Sequence, residues 1–280
     1  MLLATASNKG SGTAMTLSLG NGNGAGFGWN VAYTYTRATE VSPLTSSVSN
    51  SNFNARSIFN PNEDVAANSA YLIRDRVSAA MNWSQAFVGT YKTSLGVFYE
   101  GRRGKPYSWT YLNDANGDAV SGNDLMYIPK GPQSGEVVFV GDTAASHPNE
   151  DRFWSIVGNY KDLDKARGSV VSRNSTYAPW VNNFDMRLSQ EVPGFTSQHK
   201  GVLSLDLLNV GNLLNKKWGR INEVNFASAG GQRRGFAYFN GIDAQGKYNY
   251  AVANTVDDYT LRQVKGESQW GLQVTARYEF

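Results

Sequence analysis

Three oxygen-bearing side chains occupy every second position within the segment 113–124. Asp114, Asn116 and Asp118 begin a D-x-N-x-D pattern, in which alternate side chains direct carboxylate and amide oxygens toward one hard cation. The spacing therefore predicts a calcium site in this segment. The alternative is that the same Asp, Asn and Gly residues form solvated turns in a surface loop, as these residue types commonly do.

The pattern departs from the common helix-loop-helix calcium site at two positions. That site would have glycine at position 119 and a bidentate glutamate at position 125, whereas this chain has Ala119 and Leu125 there. Asn123 and Asp124 are substitute oxygen ligands nearby in the sequence. Calcium is the only cofactor that the sequence suggests.

Other kinds of site chemistry have little support. The chain has no cysteine, which excludes thiol catalysis and cysteine-ligated metals. Its two histidines, His147 and His199, are far apart and have no partner residues near them in sequence. Residues 20–24 are rich in glycine, but they connect two predicted strands and precede no helix, unlike a phosphate-binding loop. No nucleophile or acid–base pair stands out, so we expect a protein that is not an enzyme.

Charge and composition argue against two further classes, nucleic-acid-binding proteins and helical membrane proteins. The net charge is +3, from 26 basic and 23 acidic residues, and no concentrated basic patch suggests a nucleic-acid partner. No stretch approaches the roughly 18 consecutive apolar residues of a transmembrane helix. Contact with lipid would therefore be made by alternating strands, whose hydropathy is diluted by their polar face. The 15 tyrosines, 13 phenylalanines and 7 tryptophans are enough to form aromatic girdles at the edges of such a surface.

The elements that must position these residues are strands with alternating side chains. The final segment, 270–280, has apolar or aromatic residues at every even position and small, polar or charged residues at every odd position. This period of two gives a strand one apolar face and one polar face. A strand of this length, at about 3.3 Å per residue and tilted by about 45°, covers about 25 Å, the height of the lipid-facing band of an outer-membrane barrel.

Six further segments alternate in the same way. They are 15–19, 27–36, 77–83, 91–100, 184–189 and 203–207. Together with the final segment they predict seven strands and an all-β fold.

The connections between these strands alternate strictly between short and long. The short ones lie near 20–25, 85–89 and 193–199, and the long ones near 38–69, 102–178 and 211–266. A soluble sandwich has no reason to place every long loop at one end of its strands, whereas an outer-membrane barrel has short periplasmic turns and long extracellular loops. We therefore predict an antiparallel up-and-down transmembrane β-barrel in the bacterial outer membrane.

Seven strands do not close a barrel, because bacterial single-chain barrels have even strand numbers from eight upward. An eighth strand is a candidate around 2–6, or in a hairpin of aromatic residues between Phe236 and Val252. We favour a different interpretation, in which residues 1–280 are a single C-terminal portion of a barrel with about 22 strands. A secreted β-sandwich would show the same alternation, with its apolar face covered by a second sheet.

Four charged residues are predicted to share the polar face of neighbouring strands: Asp185, Arg187, Glu191 and Asp206. In one interpretation these lumen-facing residues hold a plug or a substrate. In the other, which we favour, they pair with one another across the strands. Either arrangement keeps charge away from lipid, where an Arg or Lys at the midplane would cost about 2–4 kcal/mol.

A basic group is predicted at the outer ends of the strands, namely Arg74, Arg76, Arg102, Arg103 and Lys105. Clustered cations attract phosphates, so these residues are candidates for contact with lipopolysaccharide. The alternative is a solvated rim without a specific ligand.

The long connection near 102–178 contains a group of aromatic residues, namely Trp109, Tyr111, Tyr127, Trp154 and Tyr160. Exposed aromatic side chains in an outer loop could bind a peptide or a sugar. The alternative is that they form a small core of the loop itself, or pack over the mouth of the barrel.

Four blocks of the sequence carry a family resemblance. They are 102–129, which contains Asn113-Asp114-Ala115-Asn116-Gly117-Asp118 and Gly122-Asn123-Asp124-Leu125-Met126-Tyr127-Ile128-Pro129, then 178–189, 206–218 and the terminal Tyr278-Glu279-Phe280. Together these blocks resemble the barrel of Oar-like TonB-dependent outer-membrane transporters. Within the third block, Asn212-Leu213-Leu214-Asn215 is similar to an element found before the last strand of TonB-dependent receptors. The segment 2–10 is similar to a mid-barrel segment of the family.

The resemblance implies parts that this sequence does not show. They are a signal peptide, an N-terminal regulatory-like β domain, a TonB box, a plug and about fifteen earlier strands. Coupling to the TonB complex would therefore go through the missing N-terminal region. The resemblance also implies that the terminal strand, through Tyr278 and Phe280, is recognised by the barrel-assembly machinery.

The sequence thus predicts the barrel portion of an outer-membrane TonB-dependent transporter or receptor, with its substrate undetermined. The expected partners are outer-membrane lipid and lipopolysaccharide, the barrel-assembly machinery and, through the missing region, the TonB complex. The alternative is a free-standing outer-membrane pore or adhesin barrel without energised transport. A third interpretation, a secreted hydrolase-like β domain, is disfavoured because no catalytic set is found.

Overall fold

The computed structural model describes residues 6–22, 26–224 and 232–280. The candidate eighth strand around 2–6, the segment 2–10 and the turn at 20–25 therefore lie partly outside the described residues. In the described ranges the strands are β1 (Ser11–Asn21), β2 (Phe27–Glu40), β3 (Ala67–Asn68), β4 (Asp75–Val88), β5 (Tyr91–Arg102), β6 (Pro106–Trp109), β7 (Tyr127–Ile128), β8 (Val137–Phe139), β9 (Ser169–Val170), β10 (Thr176–Tyr177), β11 (Val181–Pro193), β12 (Lys200–Leu208), β13 (Asn222–Glu223), β14 (Arg233–Arg234), β15 (Ala237–Ile242), β16 (Tyr248–Val252), β17 (Thr260–Leu261) and β18 (Gly271–Glu279).

The helices of the described residues are short. They are α1 (Ser49–Ala55), α2 (Pro148–Asn159), α3 (Lys161–Asp164) and α4 (Val210–Leu214). No helix in the described ranges is both long and apolar enough to cross a membrane. The fold is mostly β, as predicted, but the helices were not expected from the strand pattern.

One large antiparallel sheet contains all seven predicted strands. Its order is β1-β2-β4-β5-β11-β12-β18, and the short β3 pairs with the end of β2. Each long strand pairs with the next long strand along the chain, so the sheet is an up-and-down meander. In the described part of the chain no pairing joins β1 to β18, and the sheet is open with these two strands at its edges.

The strands of the large sheet are longer than the sequence pattern indicated. β2 runs on to Glu40 and β4 to Val88, so the turn predicted at 85–89 shrinks to residues 89 and 90. Gly89 supplies the positive φ, +57°, that so tight a reversal requires. The three long connections consequently run over 41–74, 103–180 and 209–270, and all three leave the same end of the sheet.

These three long connections fold together into what we call the loop region. Its small sheets are β10-β6-β14, β13-β17, β15-β16-β8 and β7-β9. The aromatic hairpin expected between Phe236 and Val252 is present as β15 and β16, but it pairs with β8 and does not join the large sheet. Two of these pairings, β14 with β6 and β16 with β8, are parallel. The antiparallel prediction concerned the strands of the large sheet and is confirmed there, while the parallel pairs lie in the long connections, outside the predicted strands.

The main hydrophobic core lies in the loop region. Trp109, Phe153, Phe236 and Tyr250 have no exposed surface and pack edge-on or tilted against one another. The Arg234 guanidinium carbon lies 4.5–5.7 Å from the ring centres of four aromatic residues of this core, Tyr107, Trp109, Tyr160 and Tyr259. Of the two interpretations of the loop aromatics, a core of the loop itself describes Trp109 and Tyr111, which are buried, and Trp154 and Tyr160, which pack against that core.

Candidate functional site

The most extended surface feature is a continuous apolar face on the large sheet. One row of directly paired residues crosses six strands: Trp29, Met81, Val97, Met186, Leu207 and Leu272. The next row, two residues further along each strand, is Phe27, Trp83, Leu95, Leu188, Leu205 and Val274. The alternation in each strand is therefore in register across the sheet. We call the side of the sheet that carries these two rows the apolar face.

The apolar face is exposed along its edges. Leu17 on β1 is 69% exposed and Val274 on β18 is 70% exposed. Water-soluble monomers rarely leave contiguous apolar patches larger than a few hundred Å² uncovered. An apolar surface that crosses a whole sheet therefore calls for a lipid or protein neighbour.

Aromatic side chains lie toward both ends of the apolar face. Tyr33 and Tyr99 lie toward the end that carries the long connections, and Trp29, Trp83 and Tyr278 lie toward the end with the short turns. The positions between them are mostly aliphatic. This distribution is typical of surfaces that cross a bilayer, where rings with a polar atom prefer the two interfaces.

The opposite face of the large sheet is polar. One row of paired residues consists of hydroxyl side chains only, namely Ser84, Ser94, Ser189, Ser204 and Thr275. Ser84 and Ser94 are hydrogen-bonded, with 2.9 Å between their Oγ atoms. The apolar face of the large sheet therefore suits an apolar neighbour, and the opposite face suits water.

The four predicted lumen-facing residues all lie on this polar face and all have partners. Arg187 and Asp206 are paired across β11 and β12, and the guanidinium donates through Nε and Nη2 to the two carboxylate oxygens. Glu191 accepts from Lys200 Nζ at 2.7 Å. Asp185 accepts from the backbone amide of Asn209 at 2.8 Å. Charge pairing accounts for Arg187, Asp206 and Glu191, while Asp185 fixes the chain where it leaves β12.

The predicted basic rim is largely neutralised by neighbouring groups. Arg76 and Arg102 both contact Glu100, Arg103 contacts Asp75 at 2.8 Å, and Lys105 contacts Glu223 at 3.7 Å. Arg74 lies over the rings of Tyr35 and Tyr177. These residues form a solvated, paired rim, and contact with lipopolysaccharide stays a prediction.

The two terminal aromatic residues differ in their surroundings. The Tyr278 hydroxyl accepts from the amide of Phe195 at 3.0 Å and lies 2.9 Å from His199 Nδ1, so it is tied to the last short turn. Phe280 is 95% exposed. The role of Phe280 as an assembly signal stays a prediction.

The segment 113–124, which we call the acidic loop, brings together three carboxylates. One oxygen of each of Asp114, Asp118 and Asp124 lies within 4.8 Å of the other two. Asp114 and Asp118 were predicted as calcium ligands, and Asp124 was predicted as a substitute ligand. Asn116 differs from the prediction because its Oδ1 accepts the backbone amide of Asp118 at 2.9 Å and so closes a turn.

Carboxylate oxygens of the acidic loop also accept hydrogen bonds from backbone amides. Asp114 accepts from the amides of Gly117 and Ala119, and Asp118 Oδ1 accepts from the amide of Val120. Ala119 adopts φ +67°, the left-handed conformation that a calcium loop usually gives to glycine. The chain thus makes the sharp turn of such a loop without the usual residue.

Asp124 and its neighbour Asn123 are the buried members of the acidic loop. Asn123 has no exposed surface and Asp124 is 2% exposed. The Oδ1 atoms of both are buried without a hydrogen-bond partner. The pKa of the Asp124 carboxyl is raised to about 6, mainly by burial and then by the charges of Asp118 and Asp114, against the lowering effect of the hydrogen bond from the Ala115 amide.

Residues from all three long connections meet at the acidic loop. Ile58, from the first connection, donates to the carbonyl of Asn123 at 2.9 Å and accepts from the amide of Leu125 at 2.8 Å. Arg233, from the third, donates to the carbonyls of Gly122 and Asn54. Sequence reasoning missed Ile58 and Arg233, because no local pattern links them to the acidic loop.

In a comparison with known proteins, no family model, no curated protein and no solved structure matches the chain.

Proposed function

We propose that the chain forms part of the wall of a transmembrane β-barrel in a bacterial outer membrane, belonging to an Oar-like TonB-dependent transporter or receptor. The observation that carries the proposal is the apolar face. Its rows remain in register across six paired strands, with aromatic residues toward both ends. In this proposal the apolar face meets lipid.

The polar face supports the same orientation. Its charged residues are paired, and side chains such as Arg187 stay largely exposed at 62%. An ion pair of this kind is compatible with a water-filled lumen, and it would be costly in hydrocarbon. In this proposal the polar face lines the lumen.

Strand length and connectivity also support a barrel wall. The seven long strands have 9 to 14 residues, and a tilted transmembrane strand needs about 9–11. The turns at 89–90 and 194–199 are short, while the loop region collects at the opposite end. Such an asymmetry matches periplasmic turns on one side and extracellular loops on the other.

The open edges suggest that further strands complete the barrel. β1 and β18 each present unpaired backbone groups along one side in the described sheet, and an unpaired edge cannot be left within hydrocarbon. In this proposal, strands beyond those described pair with both edges. The TonB-dependent part of the proposal is supported only by the resemblance of the sequence blocks, and the transported ligand is left open.

A refolding experiment separates the candidate functions. Residues 1–280 are refolded with and without detergent, and the product is compared unboiled and boiled on a gel. The proposal predicts no heat-modifiable, protease-resistant band from this chain alone, and such a band when the coding region is extended upstream. A band from the chain alone would favour a free-standing pore or adhesin barrel. A folded monomer in the absence of detergent would favour a secreted β domain and would contradict the proposal.

A further inference from the structure

We propose that the carboxylates of Asp114, Asp118 and Asp124, with the side-chain oxygen of Asn123, bind one calcium ion that fixes the junction of the three long connections. This inference does not depend on the membrane function proposed above. It requires only that the loop region meets the calcium concentrations found outside cells.

The spacing of the three carboxylates fits a cation of this size. Calcium–oxygen distances are about 2.3–2.6 Å, so ligands on opposite sides of the ion lie about 4.6–5.2 Å apart. One oxygen from each of the three carboxylates lies within 4.8 Å of the other two. A single calcium ion can therefore contact all three without a rearrangement of the backbone.

Two buried oxygens without hydrogen-bond partners, one on Asp124 of the cluster and one on the neighbouring Asn123, also point to a ligand. Asp124 Oδ1 and Asn123 Oδ1 are buried and accept no hydrogen bond, and a buried polar atom left unpaired costs roughly 1–3 kcal/mol. Asn123 lies beside the cluster, since its Nδ2 donates to Asp118 Oδ2 at 3.0 Å. A cation at the cluster would give the Asp124 carboxylate a partner, and a flip of the Asn123 amide, which exchanges Nδ2 and Oδ1, would direct its oxygen toward the ion.

The charge balance favours a divalent ion. Three carboxylates meet in the cluster, and the Arg233 guanidinium acts electrostatically on Asp124 and Asp118. Even if the Arg233 guanidinium offset one carboxylate in full, two negative charges would remain, enough for one divalent cation. Magnesium is disfavoured, because it keeps most of its water ligands and takes only one or two carboxylates in regular octahedral geometry.

The position of the cluster defines what the ion would do. The backbone of Asn123 and Leu125 pairs with Ile58 of the first connection, and Arg233 of the third connection donates to the carbonyl of Gly122. A bound ion would hold the acidic loop in the conformation that makes these contacts. Calcium would thus stabilise the joint between connections that are far apart in sequence.

The test is a calorimetric titration with calcium chloride, and separately with magnesium chloride, after chelator treatment. The sample is the form that the refolding experiment shows to be folded, either residues 1–280 or the chain extended upstream, and we call it the parent chain. We expect one calcium site with a dissociation constant on the order of 10⁻⁴ M, typical of extracellular modules, and clearly weaker magnesium binding. Asp118→Asn should weaken calcium binding by about tenfold or more. Asp243→Asn is the matched control, because Asp243 closes a similar turn with the amides of Gln245 and Lys247 outside the cluster, and it should bind like the parent chain.

Amide hydrogen exchange in the parent chain gives a second measurement that needs no variant. Calcium should slow exchange in 113–124 and at Ile58, and magnesium should not. The proposal is overturned if the parent chain shows no saturable binding up to about 10 mM calcium, well above the range of extracellular sites. It is equally overturned if Asp118→Asn and Asp114→Asn, each with a parent-like circular dichroism spectrum, bind calcium as the parent chain does.

Discussion

The large sheet and the loop region distribute the same residue types in opposite ways. The loop region buries its aromatic residues, and Trp109, Phe236 and Tyr250 have no exposed surface. The large sheet holds comparable side chains in register on one face and leaves them open, with Leu17 and Val274 about as exposed as surface residues. The loop region is therefore organised like a protein in water. The sheet is organised like a surface whose apolar neighbour is not part of the described chain.

The comparison separates two sources of stability. Burial of apolar area contributes roughly 25 cal/mol per Å², and in the loop region this burial takes place within the chain. On the large sheet the same contribution would come only from a lipid or protein that covers the apolar face. Matched substitutions in the two regions should therefore respond differently to the presence of a membrane.

The largest expected effect is the removal of a buried tryptophan from the loop region. Trp109 packs against Tyr107, Tyr160 and Phe236 and donates through Nε1 to Thr176 at 3.1 Å. Trp109→Ala should lower the free energy of unfolding by about 3–5 kcal/mol. The measurement is denaturant unfolding of the upstream-extended chain refolded in detergent, followed by near-ultraviolet circular dichroism. Trp29→Ala, at a position on the apolar face that is 39% exposed, is the control and should cost much less; equal losses would remove the distinction between the two regions.

The next largest effect is expected for a charge on the apolar face. Val274→Arg should reduce stable association with lipid vesicles by about 2–4 kcal/mol, because an arginine near the bilayer midplane is costly. The neighbouring Gln273→Arg on the polar face should bind vesicles like the parent chain. The readout is the fraction of chain that floats with the vesicles in a density gradient. If both variants floated equally, the apolar face would not be the lipid-contacting face.

A smaller effect is expected at the turn of the acidic loop. Gly117 and Ala119 both have φ values in the left-handed region, +79° and +67°, which costs a residue with a Cβ atom about 1–2 kcal/mol. Gly117→Ala should therefore lower the free energy of unfolding by about 1 kcal/mol, and Ala119→Gly should leave it unchanged or raise it slightly. Thermal unfolding of both variants in the same buffer shows whether the two changes in the free energy of unfolding differ in this way. A loss of stability in Ala119→Gly would contradict the assigned conformation.

The smallest effect is expected for the ion pair between Arg187 and Asp206. Because the arginine side chain is 62% exposed, the coupling in a double-mutant cycle of Arg187→Ala and Asp206→Ala should be only about 0–1 kcal/mol. The cycle is measured by denaturant unfolding in detergent. A coupling of several kcal/mol would mean that the polar face is shielded from water. That result would contradict the proposal that the polar face lines a water-filled lumen.

The sheet was predictable from the sequence because its signal is local. The alternation in 77–83 or 270–280 gives the face of each side chain directly, and the alternation of short and long connections gives the meander. The strand ends were less accurate, since Gln85–Val88 and Thr39–Glu40 continue their strands beyond the clear alternation. Such local patterns do not determine whether the sheet closes into a barrel.

The loop region was not predictable in the same way. Strands such as β7, β9 and β14 have two residues each, which is too short for any period to be visible. Helix α2 did carry a signal, with Pro148 in its first turn, two acidic residues after it, and Phe153 and Val157 four positions apart on the buried side. In the acidic loop the D-x-N-x-D spacing identified Asp114 and Asp118. The contribution of Asn123 and Asp124 depends on burial, which only long-range packing against Ile58 and Arg233 determines.

The most direct test of the account is the environment of two neighbouring residues on β12. Since the chain has no cysteine, Leu205→Cys on the apolar face and Ser204→Cys on the polar face each give one labelling position. Each variant is made in the upstream-extended chain, with any upstream cysteine replaced by serine, and is spin-labelled and reconstituted in lipid vesicles. Collisions with oxygen, which concentrates in lipid, are compared with collisions with a water-soluble nickel complex. The account predicts that position 205 collides mainly with oxygen and position 204 mainly with nickel. If position 205 were reached by nickel as readily as position 204, or shielded from both reagents, the apolar face would not contact lipid and the account would be contradicted.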